Sequence, residues 1–355
     1  MQELTQNMQG RRMISPAYVQ QVKRKVESGE YPTLETKCPC GGENDTVLTE
    51  RDRYGFPHRM VICNECALIR ANPMMTKEAY VSFYNNEYRM INHPILPDIG
   101  ATKEGDYPGF VRIANSKGRK LVKWLDDADI EQPSVVVEIG CHVGGMLDIF
   151  KEQGATTYGV EIDVSAQDYA NSRGHHVVNN VQTLIALGVK ADLVIMQDVI
   201  EHYVDLAEVV DIREILSNKG YLYVWTPGIF RSNLSWYWQM AHTYQFCARS
   251  LEYTMAEMGF DAVYTDEDIT SLWEYKGPYA ARYYKPAQWA EYIKDHVFDR
   301  PLRKMPPFRG QCKFTKKLLH ANVASNLSEK VPDLSAISGK YKGDVIIIGG
   351  GPSID

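Results

Sequence analysis

Apolar residues along this chain gather in short runs separated by polar residues and glycines, and the runs alternate with stretches of helical periodicity. The run VVVEIG at 135–140 opens a glycine turn made of Gly140, Gly144 and Gly145, and a second run ends in Glu161, twenty-one residues after the first glycine. HHVVNN at 175–180 reads as a third strand, ADLVIMQDVIEH at 191–202 as a fourth and YLYVWTPG at 221–228 as a fifth. Each is short, apolar and bounded by polar residues, as parallel strands buried on both faces are. Between the last two, LAEVVDIREIL repeats apolar residues at 206, 209, 210, 212, 215 and 216, which predicts a helix capped by Asp205 and stopped by Asn218-Lys219-Gly220. Strand and helix in alternation predict an α/β, Rossmann-like parallel sheet. No apolar run reaches the ~20 residues of a membrane span, and no internal repeat is visible.

A strand feeding a tight glycine turn presents backbone N–H groups and a helix N-terminus to a ligand, and an acid after the next strand is placed for ribose hydroxyls. A pyrophosphate needs G-x-G-x-x-G, whereas His142 fills the second glycine position and an acid, Glu138, stands two residues before Gly140. The resulting E-x-G-x-x-x-G with its later acid resembles the first two motifs of class I S-adenosylmethionine-dependent methyltransferases. ADLVIMQDVIEHYVDL, a helix and GYLYVWTPG resemble the later D-V-x-E-H stretch of the same superfamily, in a branch that modifies sugars and other small metabolites. The resemblance covers about 135–265. It implies a seven-stranded domain over 131–275, with Glu138, Gly140, His142 and Gly144 around the methionine and ribose, and Glu161 on the ribose hydroxyls. By position, Asn180 or Val181 falls near the adenine and Gln197 at the end of strand four. The family has glycine where His142 stands, so that side chain must point away from the cofactor or lie over it.

Upstream, Cys38-Pro-Cys40-Gly-Gly and Cys63-Asn-Glu-Cys66 are two tight cysteine pairs separated by twenty-two residues. Four thiolates on two knuckles make a tetrahedral zinc site with no open position, so the metal should hold a small domain together and perform no chemistry. The first pair has one intervening residue where two are usual; a redox pair or buried free thiols are the alternatives. His58 lies near the knuckles as a spare ligand, and Cys141, Cys247 and Cys312 are isolated. Seven cysteines, with no signal peptide, point to a reducing cytoplasm. The pattern CPCGG…DRYGFPHRMVICNECALIRANPMMTKEAYVSFYNNEYR resembles the zinc-binding N-terminal domain of certain sugar methyltransferases. That resemblance implies that Phe83, Tyr84, Tyr88 and Arg89 lie at a junction near the active site. Known members include C-methyltransferases of nucleotide-linked keto-deoxysugars, and many relatives occur among capsule and lipopolysaccharide genes. A plain helix face packed at the boundary explains the spacing of Tyr84 and Tyr88 equally well.

Methyl transfer from a sulfonium needs alignment and a base. Glu201 and His202, just after the fourth strand at the carboxyl edge of the sheet, stand where such a base sits; His202 is the expected base, with Glu201 polarising it or binding acceptor hydroxyls. After the fifth strand an aromatic-rich segment supplies Trp236, Tyr237, Trp238 and His242 to close over the acceptor, aromatic faces being suited to sugar rings. His175 and His176 read as ordinary surface or edge residues. The 355 residues accommodate an N-terminal helical segment (1–29), the zinc unit (30–75), a helical junction (76–130), the cofactor domain (131–275) and a helical extension and linker (276–343). The closing KYKGDVIIIGGGPSID resembles the start of a glycosyltransferase-like domain of flagellar motility accessory factors; 344–355 is expected to open such a domain in a longer natural chain. A net charge of −6 and a pI near 5.9 argue against nucleic acid as a partner. The expected partner is a small acceptor, a sugar or nucleotide-sugar of surface-glycan (capsule, lipopolysaccharide or flagellar) biosynthesis. Two rival readings remain at this stage: a non-catalytic zinc-containing assembly module with a degenerate cofactor fold, and an NAD-dependent sugar-nucleotide oxidoreductase.

Overall fold

The computed structural model of the chain describes residues 16–88, 91, 107–230, 238–266, 269–277 and 287–296. Arg89, Trp236, Tyr237, Cys312 and the glycine-rich end at 344–355 lie outside the described residues.

The N-terminal part begins with α1 (Pro16–Glu27) and a short strand β1 (Thr33–Leu34), followed by the hairpin β2 (Asp45–Arg51) and β3 (Pro57–Cys63), then β4 (Ile69–Ala71) and β5 (Met74–Met75). Helix α2 (Lys77–Phe83), capped by Thr76, runs into a π-helical turn over Tyr84–Tyr88. Buried Glu87 anchors that turn to the start of the chain by accepting from Tyr18 (2.6 Å), Lys25 (2.7 Å) and Tyr31 (2.9 Å). Tyr84 and Tyr88, read from the sequence either as part of a junction near the active site or as a plain helix face, therefore sit on a wider turn.

Long helix α3 (Tyr107–Asp127) leads into β6 (Val135–Ile139), α4 (Gly145–Glu152), β7 (Thr156–Val160), α5 (Val164–Ser172), β8 (His176–Val178), α6 (Val181–Ala186) and β9 (Ala191–Gln197). Residues Leu206–Ile215 form a 3-10 helix, not the α-helix that their periodicity predicts, although Asp205 does cap it by accepting from the Ala207 N–H at 2.9 Å. Strand β10 (Leu216–Trp225) follows, irregular over 217–220, then β11 (Tyr244–Gln245), α7 (Ala248–Glu257), β12 (Phe260–Thr265), β13 (Thr270–Tyr275) and α8 (Ala287–His296). Seven strands order as β12-β13-β10-β9-β6-β7-β8; β13 pairs antiparallel with both its neighbours and the other pairings are parallel. No described helix is long and apolar enough to cross a membrane.

The side chains of β6, β9 and β10 alternate between two cores, as the period of two requires. Val136, Leu193, Ile195 and Tyr223 pack with Leu121 and Leu125 of α3 and with Met146, Leu147 and Phe150 of α4. Val137, Val194, Met196 and Val224 pack into the other core, which continues without a break into Met60, Ile62, Leu68 and Ile69 of the N-terminal sheet. That sheet, β11-β4-β3-β2, takes its edge strand from beyond β10, so the chain returns from the large sheet to complete the small one.

Helix α3 is seated against α4 by glycines. A Cβ on Gly145 would stand 2.6 Å from Ala114 Cβ and 2.9 Å from the Val111 carbonyl, and one on Gly118 would meet Ile149 at 3.0 Å. Neither neighbour is the loose end of a long side chain, so Gly145→Ala is expected to cost about 1–3 kcal/mol through overpacking. A fall in thermal midpoint of several degrees checks this, and an unchanged midpoint contradicts it.

Candidate functional site

The carboxyl ends of β6 and β9, where the strand order reverses direction, form the crevice in which sheets of this kind take ligands. At the end of β6 the Gly140 and Cys141 N–H groups both donate to the Val160 carbonyl, folding the turn over β7. Gly140 (φ 70°) and Gly144 (φ 73°) are left-handed, and a Cβ at Gly144 would stand 2.8 Å from the His175 ring. His142 is left-handed as well, at φ 47°, the reason a glycine suits this position. Its ring packs edge-on against Phe110 at 5.0 Å and Tyr107 at 6.0 Å, turned toward α3. The question raised by its bulk is thus answered by a hydrophobic seat on a neighbouring helix. Its backbone N–H donates to Glu161 (2.9 Å), whose other oxygen accepts from the Asp163 N–H at 2.7 Å. Glu161 therefore ties the two turns together, and a carboxylate keeps lone pairs for hydroxyl donors.

Glu138 is buried, its Oε2 has no hydrogen-bond partner among the described residues, and burial holds its carboxyl well above the usual range. An orphaned buried carboxyl oxygen beside a left-handed glycine turn fits a ligand that brings donors or positive charge. Gln197, at the end of β9, donates to Asp198 (3.2 Å), and Asn180 caps α6 by accepting from the Thr183 N–H at 2.9 Å, with Val181 the first residue of that helix. His175, read from the sequence as a surface or edge residue, is buried. It bonds Thr157 at 2.8 Å and Asp148 at 3.0 Å, and Asp148 also pairs with Arg173 and Asn115. This network fixes α4 and β7 beneath the glycine turn.

Glu201 and His202 sit in a 3-10 turn directly after β9, and His242 faces them from the segment before β11, its ring 4.8 Å from that of His202. Acceptor atoms of all three lie within 4.8 Å of one another. The three residues are thus brought together. His202 Nδ1 lies 2.9 Å from the Ala241 carbonyl oxygen and 2.9 Å from the Tyr80 hydroxyl, which itself donates to the same carbonyl. A carbonyl oxygen can only accept, so Nδ1 carries the proton and Nε2 is the basic nitrogen. Burial lowers the His202 pKa to about 4, keeping the ring neutral at physiological pH. Burial, with Asp198 adding to it, raises Glu201 to about 8, so that it is a neutral acid there. Tyr84 stacks on Tyr88 at 4.8 Å, and both meet the His202 ring edge-on at 5.7 and 5.6 Å. Trp238, for which pocket lining and packing of the lid are equal readings of the sequence, is buried, its carbonyl accepting from the Arg53 N–H at 2.8 Å.

Asp52, buried in the β2–β3 turn, accepts from the N–H groups of Tyr54, Phe56 and Met240 at 2.8, 2.9 and 3.2 Å, and thereby holds the segment that carries His242. Tyr80 and Asp52 were not singled out in the sequence, since nothing in the local pattern shows that they reach residues far along the chain. Asp198 stands inside the D-V-I-E-H stretch, and its left-handed backbone (φ 58°) marks it as a special position.

In the N-terminal sheet Cys38, Cys40, Cys63 and Cys66 converge with all four sulfurs within 4.8 Å of one another, Cys38–Cys66 at 3.5 Å and Cys40–Cys63 at 3.6 Å. Four thiolates at about 2.3 Å from one metal lie about 3.8 Å apart in a tetrahedron, so the donor set fits zinc. The Gly42 N–H donates to Cys40 Sγ at 3.3 Å. His58, the spare ligand considered above, is buried elsewhere in the small sheet and bonds the backbone of His242; burial pushes it down to about 4.

Residues 113–265 match the family model described as a methyltransferase domain, a span of less than half the chain. Among solved structures, the chain is similar to a SAM-dependent methyltransferase from Archaeoglobus fulgidus (18% identity, 44% of this chain and 72% of that one, TM-score 0.37). It is also similar to magnesium protoporphyrin IX methyltransferase from Synechocystis PCC 6803 with bound SAH (16% identity, 56% of this chain and 98% of that one, TM-score 0.38). A comparison with curated proteins finds no match. Strand order, glycine turn and family model together mark residues 113–265 as a methyltransferase domain of α/β, Rossmann-like fold.

The buried imidazoles set a pH dependence of stability. Unfolded, His58 and His202 take up protons below about pH 6.5; folded, they resist protonation down to about 4. Their contribution is complete above 6.5 and is lost as pH falls through that window. Glu201 acts in the opposite sense, its cost growing as pH rises from 4.5 through about 8. In urea unfolding between pH 6.5 and 4, a His58→Asn/His202→Gln protein is expected to lose less stability than the wild type, by at least about 1 kcal/mol. Equal losses would show that neither ring is held neutral by the fold.

Proposed function

We propose that the chain methylates a sugar, nucleotide-sugar or related small metabolite of surface-glycan biosynthesis in the cytoplasm, with His202 as the base. The observation that carries this reading is the His202 tautomer: Nδ1–H is committed to the Ala241 carbonyl, so a neutral Nε2 is available to take a proton from an acceptor. Glu201, a neutral acid, has a hydrogen to give to an acceptor oxygen, and its buried Oε2 has no partner among the described residues. The stacked faces of Tyr84 and Tyr88 beside His202 suit the C–H faces of a sugar ring. Bound between β6 and β9, S-adenosylmethionine supplies an electrophilic methyl group and leaves as a neutral thioether. Glu138, Gly140, His142, Gly144 and Glu161 hold it, with Gln197, Asn180 and Val181 at the rim and His242 backing His202. Zinc on Cys38, Cys40, Cys63 and Cys66 is the structural metal that fixes the small sheet.

Titration calorimetry with S-adenosylmethionine, S-adenosylhomocysteine and NAD tests the cofactor; micromolar binding of the adenosyl ligands alone is expected, and binding of NAD alone would establish an oxidoreductase. His202→Ala is expected to lower turnover on a sugar-nucleotide acceptor by about 10²–10⁴-fold while leaving S-adenosylhomocysteine affinity intact. Unchanged turnover would remove His202 as the base. Metal analysis of the purified protein should return one zinc per chain, and Cys63→Ser should lose both the metal and the stability of the N-terminal sheet; a metal-free, fully folded wild type would overturn the zinc assignment.

A further inference from the structure

Lys117 projects from α3 to the crevice between the carboxyl ends of the strands. Its Nζ donates to Asp198 Oδ2 at 2.7 Å and lies 5.6 Å from the centre of the Trp225 ring. Asp198 follows β9 directly, and Trp225 ends β10 beside Gln197 in the register of the sheet. The helix that carries Lys117 has little freedom there, because Gly118 is packed against α4 and Asn115 donates to the Gly145 carbonyl at 2.6 Å. The ammonium on its four-carbon stem is the adjustable part, and both partners of the pair are about two-fifths exposed, at 41% and 37%.

Three carboxyl groups, Glu138, Asp198 and Glu201, meet at this edge of the sheet. The charge of Lys117 pulls down Glu138 and Glu201, the two that burial pushes up. An aromatic face and a carboxylate that both contact one ammonium make a recognition site for a cation. The cofactor that this domain takes carries two positive charges, an α-ammonium and a sulfonium, and it enters the same crevice.

We propose that Lys117 is an internal stand-in for the positive charge of S-adenosylmethionine, neutralising Asp198 and the crevice until the cofactor displaces it. The displaced side chain moves to solvent, and Asp198, held in its left-handed conformation, is freed for the incoming cation. Competition of this kind lowers affinity for every cationic ligand and sets how strongly the site discriminates the sulfonium cofactor from the neutral-sulfur product. The proposal rests on the cofactor assignment above.

Calorimetry of wild-type protein, Lys117→Met, Lys117→Gln and Asp198→Asn with S-adenosylmethionine and S-adenosylhomocysteine tests it. Both lysine variants are expected to bind S-adenosylmethionine three- to tenfold more tightly than wild type, with a smaller gain for S-adenosylhomocysteine, whereas Asp198→Asn weakens both. In parallel, acetylation of Lys117 by acetic anhydride, read by mass spectrometry, should speed up when wild-type protein is saturated with S-adenosylhomocysteine. Weaker or unchanged cofactor binding in the lysine variants would overturn the proposal, the weaker result marking Lys117 as a ligand of the cofactor carboxylate. Slower acetylation with ligand bound would overturn it too. If neither wild type nor variants bind the adenosyl ligands, the cofactor assignment falls and the proposal with it.

Discussion

The carbonyl oxygen of Ala241 accepts from both the Tyr80 hydroxyl and the His202 imidazole, and the geometry of the site depends on that shared acceptor. One donor comes from the N-terminal helix α2, the other from the turn after the fourth parallel strand, and the acceptor from the segment that closes over them. A carbonyl with two donors fixes three separate elements at one point and, because it cannot donate, also decides which imidazole nitrogen is basic. The same segment is held a second time by Asp52, which accepts from the Met240 N–H, and a third time by β11 pairing with β4.

These contacts tie the N-terminal sheet to the segment that carries His242. Its apolar face is continuous with one core of the large sheet, so the four-cysteine cluster lies within a framework that reaches the site. A metal held by that cluster, as proposed, would stabilise the small sheet directly and the position of His242 indirectly, through β3, β4 and the turn that holds Asp52. The large sheet brings the crevice between β6 and β9; helix α2 and the turn after it bring Tyr80, Tyr84 and Tyr88 against His202.

Electrostatics within the crevice follow from burial more than from pairing. Glu138 and Glu201 are buried carboxyls and His202 a buried imidazole, and desolvation makes each favour its neutral form. A neutral base beside a neutral acid suits proton removal from an acceptor that has little charge of its own. Lys117 and Asp198, nearer solvent, carry the formal charges at the rim.

Much of this was legible in the sequence, for reasons that differ by element. Parallel strands buried on both faces must be apolar throughout, so VVVEI, HVV and ADLVIMQ announced themselves, and the E-x-G-x-x-x-G turn followed from backbone conformations that glycine reaches at least cost. Paired cysteines declared their cluster because four sulfurs in two tight turns have few other uses. What the sequence could not decide was anything resting on contacts between distant residues. The 3-10 winding of Leu206–Ile215 replaced an α-helix that local periodicity favoured, and the burial of His175 came from Thr157 and Asp148. The seating of His142 on Phe110 and the tautomer of His202 likewise depend on partners tens to well over a hundred positions away. Local pattern specifies which strands and turns form, because backbone sterics and burial act within a few residues. The orientation, protonation and charge of the side chains in the site are set by neighbours that only the folded chain brings near.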